Sequence, residues 1–343
     1  MRRWVKGLLF TGIGFLIAGI IVLFIAFAVN GFSWKNTLLP GHSKREAATN
    51  NIEENINDEF LNIHVEVGSP DIKLEKSEDG ICHITYKYRG EDPHLVIGVN
   101  GDTLEIKQLD SETNFDWKHP DQWLEHFYNQ VRWGFNDEIG EIVISLPEKE
   151  YDTLDISTAS GDIESVQPIS CSEANLSTAS GEMNLENIKG KSSLNLASAS
   201  GDIDIKNAEG FEMINIVSAS GELEVVNASA ASEMNATTTS GEMTLNQVSV
   251  SGKAELHSTS GRISLIKTEF QEGKAETTSG EIYLEYAQAE KLFLKTTSGD
   301  ILGKIDADIN VHGTTTSGDY SAPSGTKGDW RTETTSGDVR LAY

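Results

Sequence analysis

Between residues 151 and 343, apolar and polar positions alternate with period two in short runs, and the same run returns at a nearly constant interval. In residues 191–210, Leu194, Leu196, Ser198 and Ser200 alternate with Asn195, Ala197 and Ala199. After Gly201 the alternation resumes with Ile203 and Ile205 against Asp202 and Asp204. Such a pattern predicts half-buried strands. Each unit therefore offers two short strands, a bend at Ser-Gly, and a second bend near residues 207–210, where residues that tolerate positive φ collect. The Ser-Gly pair occurs ten times: at Gly161, Gly181, Gly201, Gly221, Gly241 and Gly261, twenty residues apart, then at Gly280, Gly299, Gly318 and Gly337, nineteen apart.

A unit this small cannot bury its apolar face alone, whereas copies stacked about 4.8 Å apart pair every strand with its equivalents on either side. The predicted fold is therefore all-β, a parallel β-solenoid of two-strand rungs about 20 residues long. Two residues after the glycines stands an apolar column: Ile163, Met183, Ile203, Leu223, Met243, Ile263, Ile282, Ile301, Tyr320 and Val339. Its parity points it inward. The column two residues further on is weak at Ser165, Gly303 and Ala322. Three residues before every glycine stands Ser or Thr, from Thr158 to Thr334. Ten equivalent hydroxyls read as corner hydrogen-bonding groups, because a nucleophile needs one serine activated by a base.

The residue after the glycine is acidic in nine units, Asp162, Glu182, Asp202, Glu222, Glu242, Glu281, Asp300, Asp319 and Asp338, and is Arg262 in the tenth. In register, such carboxylates repel by roughly 1 kcal/mol per neighbour in water, less in salt. The column reads as a solvated turn that discourages wrong strand pairing. It is also a candidate surface for a basic partner or for divalent cations, although the glycine-rich phrase of calcium-binding β-rolls is missing.

Before the array, residues 59–150 carry further strand-like runs at 60–67, 71–75, 81–88, 94–99 and 103–107, punctuated by turn residues, and read as irregular first rungs. Residues 111–138 interrupt them. There Trp123, Phe127 and Val131 recur at helical spacing, so the segment predicts a helix that covers the open solenoid end or docks a partner or the outer leaflet. Trp117, Trp123, Phe127 and Trp133 are its candidate contacts. Residues 30–58, polar and rich in Asn and Glu from Pro40 onward, read as a linker.

Residues 7–29 are uncharged and apolar, long enough for a membrane-spanning helix. Arg2, Arg3 and Lys6 precede them, which places residues 1–6 in the cytoplasm and everything after Asn30 outside. Ala26-Phe27-Ala28 supplies the rival reading, a leader cleaved after Ala28. Net charge is −26, with 53 acidic against 27 basic residues, which argues against nucleic acid as a partner. The two cysteines, Cys82 and Cys171, have neither metal-ligand nor redox spacing, and a disulfide between them is left open. No cofactor is predicted.

The apolar leader, the Ile-Ser-Leu-Pro step at residues 144–147 and the reiterated Thr-x-Ser-Gly-Asp/Glu-Ile/Met phrase, as in residues 158–163 and 296–301, resemble the bacterial "putative adhesin" domain-of-unknown-function family. That family includes the G component of the Lia cell-envelope stress system. The resemblance covers residues 57–343 and implies a β-solenoid on the outer face of the membrane, with no catalytic residue to carry over. The expected function is a membrane-anchored, extracytoplasmic, non-catalytic envelope protein. It would present its acidic face to an envelope protein or wall component, in adhesion, scaffolding or stress sensing. The alternatives are a polysaccharide-acting β-helix enzyme, whose acids would have to gather in a cleft, and a scaffold that self-assembles end to end through the rung at residues 337–343.

Overall fold

The computed structural model describes residues 49–89, 95–108, 139–165, 167–306 and 308–343, all within one compact unit, Ala48–Tyr343. The apolar run 7–29 and the aromatic segment 111–138, with Trp117, Trp123, Phe127 and Trp133, lie outside the described residues. Every element described is a β-strand.

The repeat folds as a parallel β-solenoid. Rungs are named below by their corner glycine. The first side of a rung precedes the corner and the second side follows it. On the first side Leu176 pairs with Ile156 in one neighbouring rung and Leu196 in the other; on the second side Met183 pairs with Ile163 and Ile203. All pairings are parallel and without slippage there, because a one-residue shift would turn every inward side chain outward. A third, shorter side was not expected: Ile169 pairs with Ile188 and Ala208 with Ala228, so a rung has three paired segments rather than two. Inside lies one continuous apolar cluster. The column beginning at Ile163 is buried at each position except Tyr320, which is 39 % exposed.

The stacking order departs from chain order at both ends. Asn62–Val67 and Asp71–Lys76 form a rung against that of Gly161, with Ile63 on Leu154 and Ile72 on Ile163. On its outer side lie not earlier residues but later ones, Thr103–Gln108 and Ile139–Leu146. Beyond them the parallel pattern stops. Leu95–Asn100 runs antiparallel to Thr103–Gln108, Cys82–Arg89 antiparallel to Ile139–Leu146, and Thr49–Ile56 antiparallel to Cys82–Arg89. These strands are an antiparallel cover, not further rungs. Residues 49–56, expected to end a polar linker, are its outermost strand. An edge strand with one wet face needs few apolar residues, and Ile52 and Ile56 suffice to pack on the core.

At the other end the rung of Gly337 stacks directly on that of Gly299, Val339 on Ile301 and Trp330 on Leu292. The rung of Gly318 lies outside it, with Tyr320 on Val339 and Val311 on Trp330. Relative apolarity accounts for the inversion. The Gly337 rung brings Trp330, Val339 and Leu341 to the core, whereas the Gly318 rung offers Val311, Gly313, Tyr320 and Ala322. Trp330 is fully buried and donates its indole N–H to the Ala289 carbonyl at 3.0 Å. The open edge expected at residues 337–343 is thus internal. The true last strand, Ile309–Thr315, is partly covered by its own chain: Gly325 N–H donates to the Ile309 carbonyl at 2.9 Å and Asn310 bridges Ser324.

Candidate functional site

The chemistry of the molecule is concentrated where the corners stack. A Cβ added to any of the ten corner glycines would come about an ångström inside 3.0 Å, the closest approach real Cβ atoms make, from a backbone carbonyl oxygen one rung away. For Gly161 that oxygen belongs to Pro70; for each of the others it belongs to the preceding glycine of the stack, Gly299 for Gly337 and Gly337 for Gly318. Glycine is required by close approach of backbone to backbone, which only a missing side chain permits.

The hydroxyl column closes the corner. In nine of the ten corners the glycine N–H donates to the Ser or Thr oxygen three residues earlier, at 2.8–3.1 Å. Where that residue is Thr178, Thr277, Thr296 or Thr334, its hydroxyl donates onward to the neighbouring rung's glycine carbonyl, at 3.0–3.3 Å. These hydroxyls are occupied in satisfying buried backbone groups.

The acidic residues follow immediately and therefore form a file, one carboxylate per rung. Asp162, Glu182, Glu222, Glu242 and Asp319 are exposed, whereas Asp202, Glu281, Asp300 and Asp338 are half-buried. Aspartates in the file do something the glutamates do not. Asp162 Oδ1 accepts the Glu182 N–H at 2.7 Å, Asp202 Oδ1 the Glu222 N–H at 2.7 Å, Asp300 Oδ1 the Asp338 N–H at 2.8 Å, and Asp338 Oδ1 the Asp319 N–H at 2.8 Å. The short side chain clips one rung to the next, an interaction that residue type alone did not reveal. Arg262 pairs with Glu281 at 3.4 Å, and Arg340 with Asp338 at 2.5 Å. From Asp162 to Glu242 the file carries no ion pair among the described residues. Glu164, Asp204 and Glu224, two residues beyond it on the second side, widen the negative surface.

Elsewhere the titratable groups are structural. Cys82 and Cys171 are buried free thiols, and burial pushes each up to about 12, so neither is a nucleophile at neutral pH. Burial raises the Asp155 carboxyl, against the amide of Asn175 that donates to it at 2.7 Å. Among the described residues no three His, Cys, Asp or Glu side chains gather to hold a metal ion.

Sequence reasoning missed an asparagine ladder and placed the second bend without resolving its full column. Asn195, Asn215 and Asn235 each donate a side-chain amide to the asparagine of the preceding rung, at 2.7–3.0 Å. At the second corner Asn187, Asn207, Asn227, Gln247, Lys267 and Tyr286 all adopt φ of 50–59°. The first three were legible as residues tolerant of that region; the last three were legible only by their place in the period.

The family model described as Toastrack DUF4097 matches residues 60–246 and again 189–342. Similar solved structures include a "putative adhesin" from Bacteroides fragilis, 14 % identical, covering 86 % of this chain and 97 % of that one at a TM-score of 0.34. A "putative lipid binding protein" from Parabacteroides distasonis is 19 % identical, covers 85 % and 96 %, and has a TM-score of 0.46. A "putative adhesin" from Parabacteroides merdae is 13 % identical, covers 85 % and 95 %, and has a TM-score of 0.40. No curated protein matches the chain.

Proposed function

The chain belongs to the Toastrack family of domains of unknown function, and from that premise we propose that it is a non-catalytic surface protein of the cell envelope, anchored through residues 7–29 with everything after Asn30 outside the membrane. Its solenoid presents the carboxylate file of Asp162, Glu182, Asp202, Glu222 and Glu242 for a basic envelope protein or a cation-bridged wall component to engage. Adhesion, scaffolding and envelope-stress sensing are the roles that such a display serves.

The observation that carries this reading is the stacked Ser-Gly corner. It fixes the backbone under every carboxylate, so a partner that binds several of them meets little ordering entropy. The hydroxyl column supports a non-catalytic role, since nine of its ten members accept a corner glycine N–H, and a nucleophile needs one hydroxyl set apart by an activating base.

The test is cross-linking in intact cells with the wild type and an Asp202→Asn/Glu222→Gln/Glu242→Gln variant. Loss of a cross-linked partner from the variant is the expected result. An identical partner set, together with unchanged effects of salt and calcium on thermal unfolding, reduces the file to a solvated turn. Topology is read separately: a reporter enzyme that works only outside the membrane, fused after Tyr343, is expected to be active, and an inactive fusion of a stably expressed chain reverses the orientation.

A further inference from the structure

We propose that the solenoid pairs with a second copy of itself through the strand Leu95–Asn100, antiparallel and about a twofold axis at Ile97. The strand is hydrogen-bonded to Thr103–Gln108 on one side, and among the described residues its other edge pairs with nothing. Alternate residues of such a strand turn N–H and C=O to the open side, which is a template for another strand. Open edges are usually guarded, and two other outermost strands of this molecule are. Thr49–Ile56 carries Glu53 and Glu54, and Ile309–Thr315 is partly covered by its own chain. Leu95–Asn100 has no charge, no proline and no bulge. Leu95, Ile97 and Val99 pack on the core yet are only half-buried, and Val96 on the opposite face is 47 % exposed.

The same residues dictate the register. Residues directly opposite in an antiparallel pair share a face, so the inward set Leu95, Ile97 and Val99 has to meet an inward set. A slip by one residue would turn one copy's core outward. Pairing about Ile97 overlaps the two sets most fully: Leu95 lies opposite Val99 of the second copy, Ile97 opposite Ile97, and two half-open cores close on each other. On the outer face Val96 then lies opposite Gly98 of the second copy. A Cβ on Gly98 would meet nothing within 4 Å, so the Val96 side chain enters open space. Within each copy Glu105 is the partner of Gly98 and Lys107 of Val96. Each outer row of the joined sheet therefore runs Glu105, Gly98, Val96, Lys107 and ends on opposite charges.

Charge also selects a like partner here. The molecule carries a net charge of −26, so two copies repel over most of their surface. By sequence, the strands Thr49–Ile56, Cys82–Arg89, Leu95–Asn100 and Thr103–Gln108 hold Glu53, Glu54 and Glu105 against Lys87, Arg89 and Lys107. This balance lets a second copy approach and gives a strongly basic partner no advantage. Twofold pairing uses one strand from each copy and closes at two.

Sedimentation equilibrium of the full-length protein in detergent tests this, and a monomer–dimer equilibrium is expected. Val96→Lys and Gly98→Val should each weaken the dimer about tenfold or more, because the twofold imposes every substitution twice. Val217→Lys, at an exposed apolar position of the repeat array, should leave it unchanged. Val96 is exposed and Gly98 has free space above it, so the folded copy accepts both variants, with unchanged circular dichroism as the check. Register is read by oxidising a mixture of Val96→Cys and Gly98→Cys chains, which should form mixed disulfide dimers faster than either chain alone. Native Cys82 and Cys171 are buried and do not compete. A monomer at every concentration overturns the proposal and leaves the edge to another segment of the chain or to a foreign strand. So does a dimer that Val96→Lys and Gly98→Val leave intact, or equal cross-linking in all three preparations.

Discussion

At the Ser-Gly corner the backbone never enters the left-handed region, yet only glycine fits; at the next corner it is left-handed in six successive rungs, yet no glycine stands there. One file of turns is governed by distance between rungs, the other by conformation within a rung. The first restriction is absolute, because the atom in the way is a backbone carbonyl that cannot rotate aside. The second is graded, because a left-handed residue other than glycine costs about 1–2 kcal/mol and asparagine less. The periods reflect this: the glycine never varies across ten corners, while the left-handed position drifts from Asn187, Asn207 and Asn227 to Gln247, Lys267 and Tyr286.

The largest effect expected from breaking the comparison is at the first file. Gly221→Ala sets a methyl against the Gly201 carbonyl and forces two rungs apart, for a loss of about 3 kcal/mol or more in urea unfolding. Rungs couple mainly to their neighbours, so the transition should also broaden. A loss below about 1 kcal/mol would mean that the corners separate easily and that the file is not what holds the register. Ser218→Ala comes next. It leaves the buried Gly221 N–H without its 3.1 Å acceptor, a cost of about 1–3 kcal/mol by the same measurement, while Ser218→Thr, the residue other rungs use, should be near neutral.

The second file predicts a gain. Tyr286 holds φ of 52° with its side chain 44 % exposed, so Tyr286→Asn gives up little packing and relieves the conformational cost. The variant should unfold about 0.5–1 kcal/mol later than wild type. Destabilisation instead would show that the tyrosine packs usefully and that conformation is not the controlling quantity there.

How far this was readable from the chain follows from the same contrast. The glycine file was legible because an absolute restriction leaves no exceptions, and the inward columns because alternation cannot slip without exposing the core. The left-handed file was legible at its asparagines and illegible at Lys267 and Tyr286. Stacking order was not legible at all. Gly299, Gly318 and Gly337 keep one spacing whichever rung lies outermost, and the choice rests on comparing Trp330, Val339 and Leu341 with Val311, Gly313 and Tyr320 rather than on any period. Residues 49–56 were missed because an edge strand wet on one face has a linker's composition, and the third side because its buried column, Ile188, Ala208, Ala228, Val248, Thr268 and Ala287, sits among too few paired residues per rung to show alternation.

The smallest expected effect is the most discriminating for the carboxylate file. Asp202 Oδ1 accepts the Glu222 N–H, and asparagine offers an acceptor of the same reach, so Asp202→Asn keeps the clip while removing a charge from a file of like charges. Stability should change by less than about 0.5 kcal/mol, and upward at low salt, because the repulsion removed is unscreened there. Asp202→Ala loses the clip as well and should fall by about 1 kcal/mol at every salt concentration. If the asparagine variant instead tracks the alanine variant, the charge itself is stabilising. The aspartates would then be held by something other than the neighbouring N–H, and repulsion between rungs would have to be smaller than the spacing of the file implies.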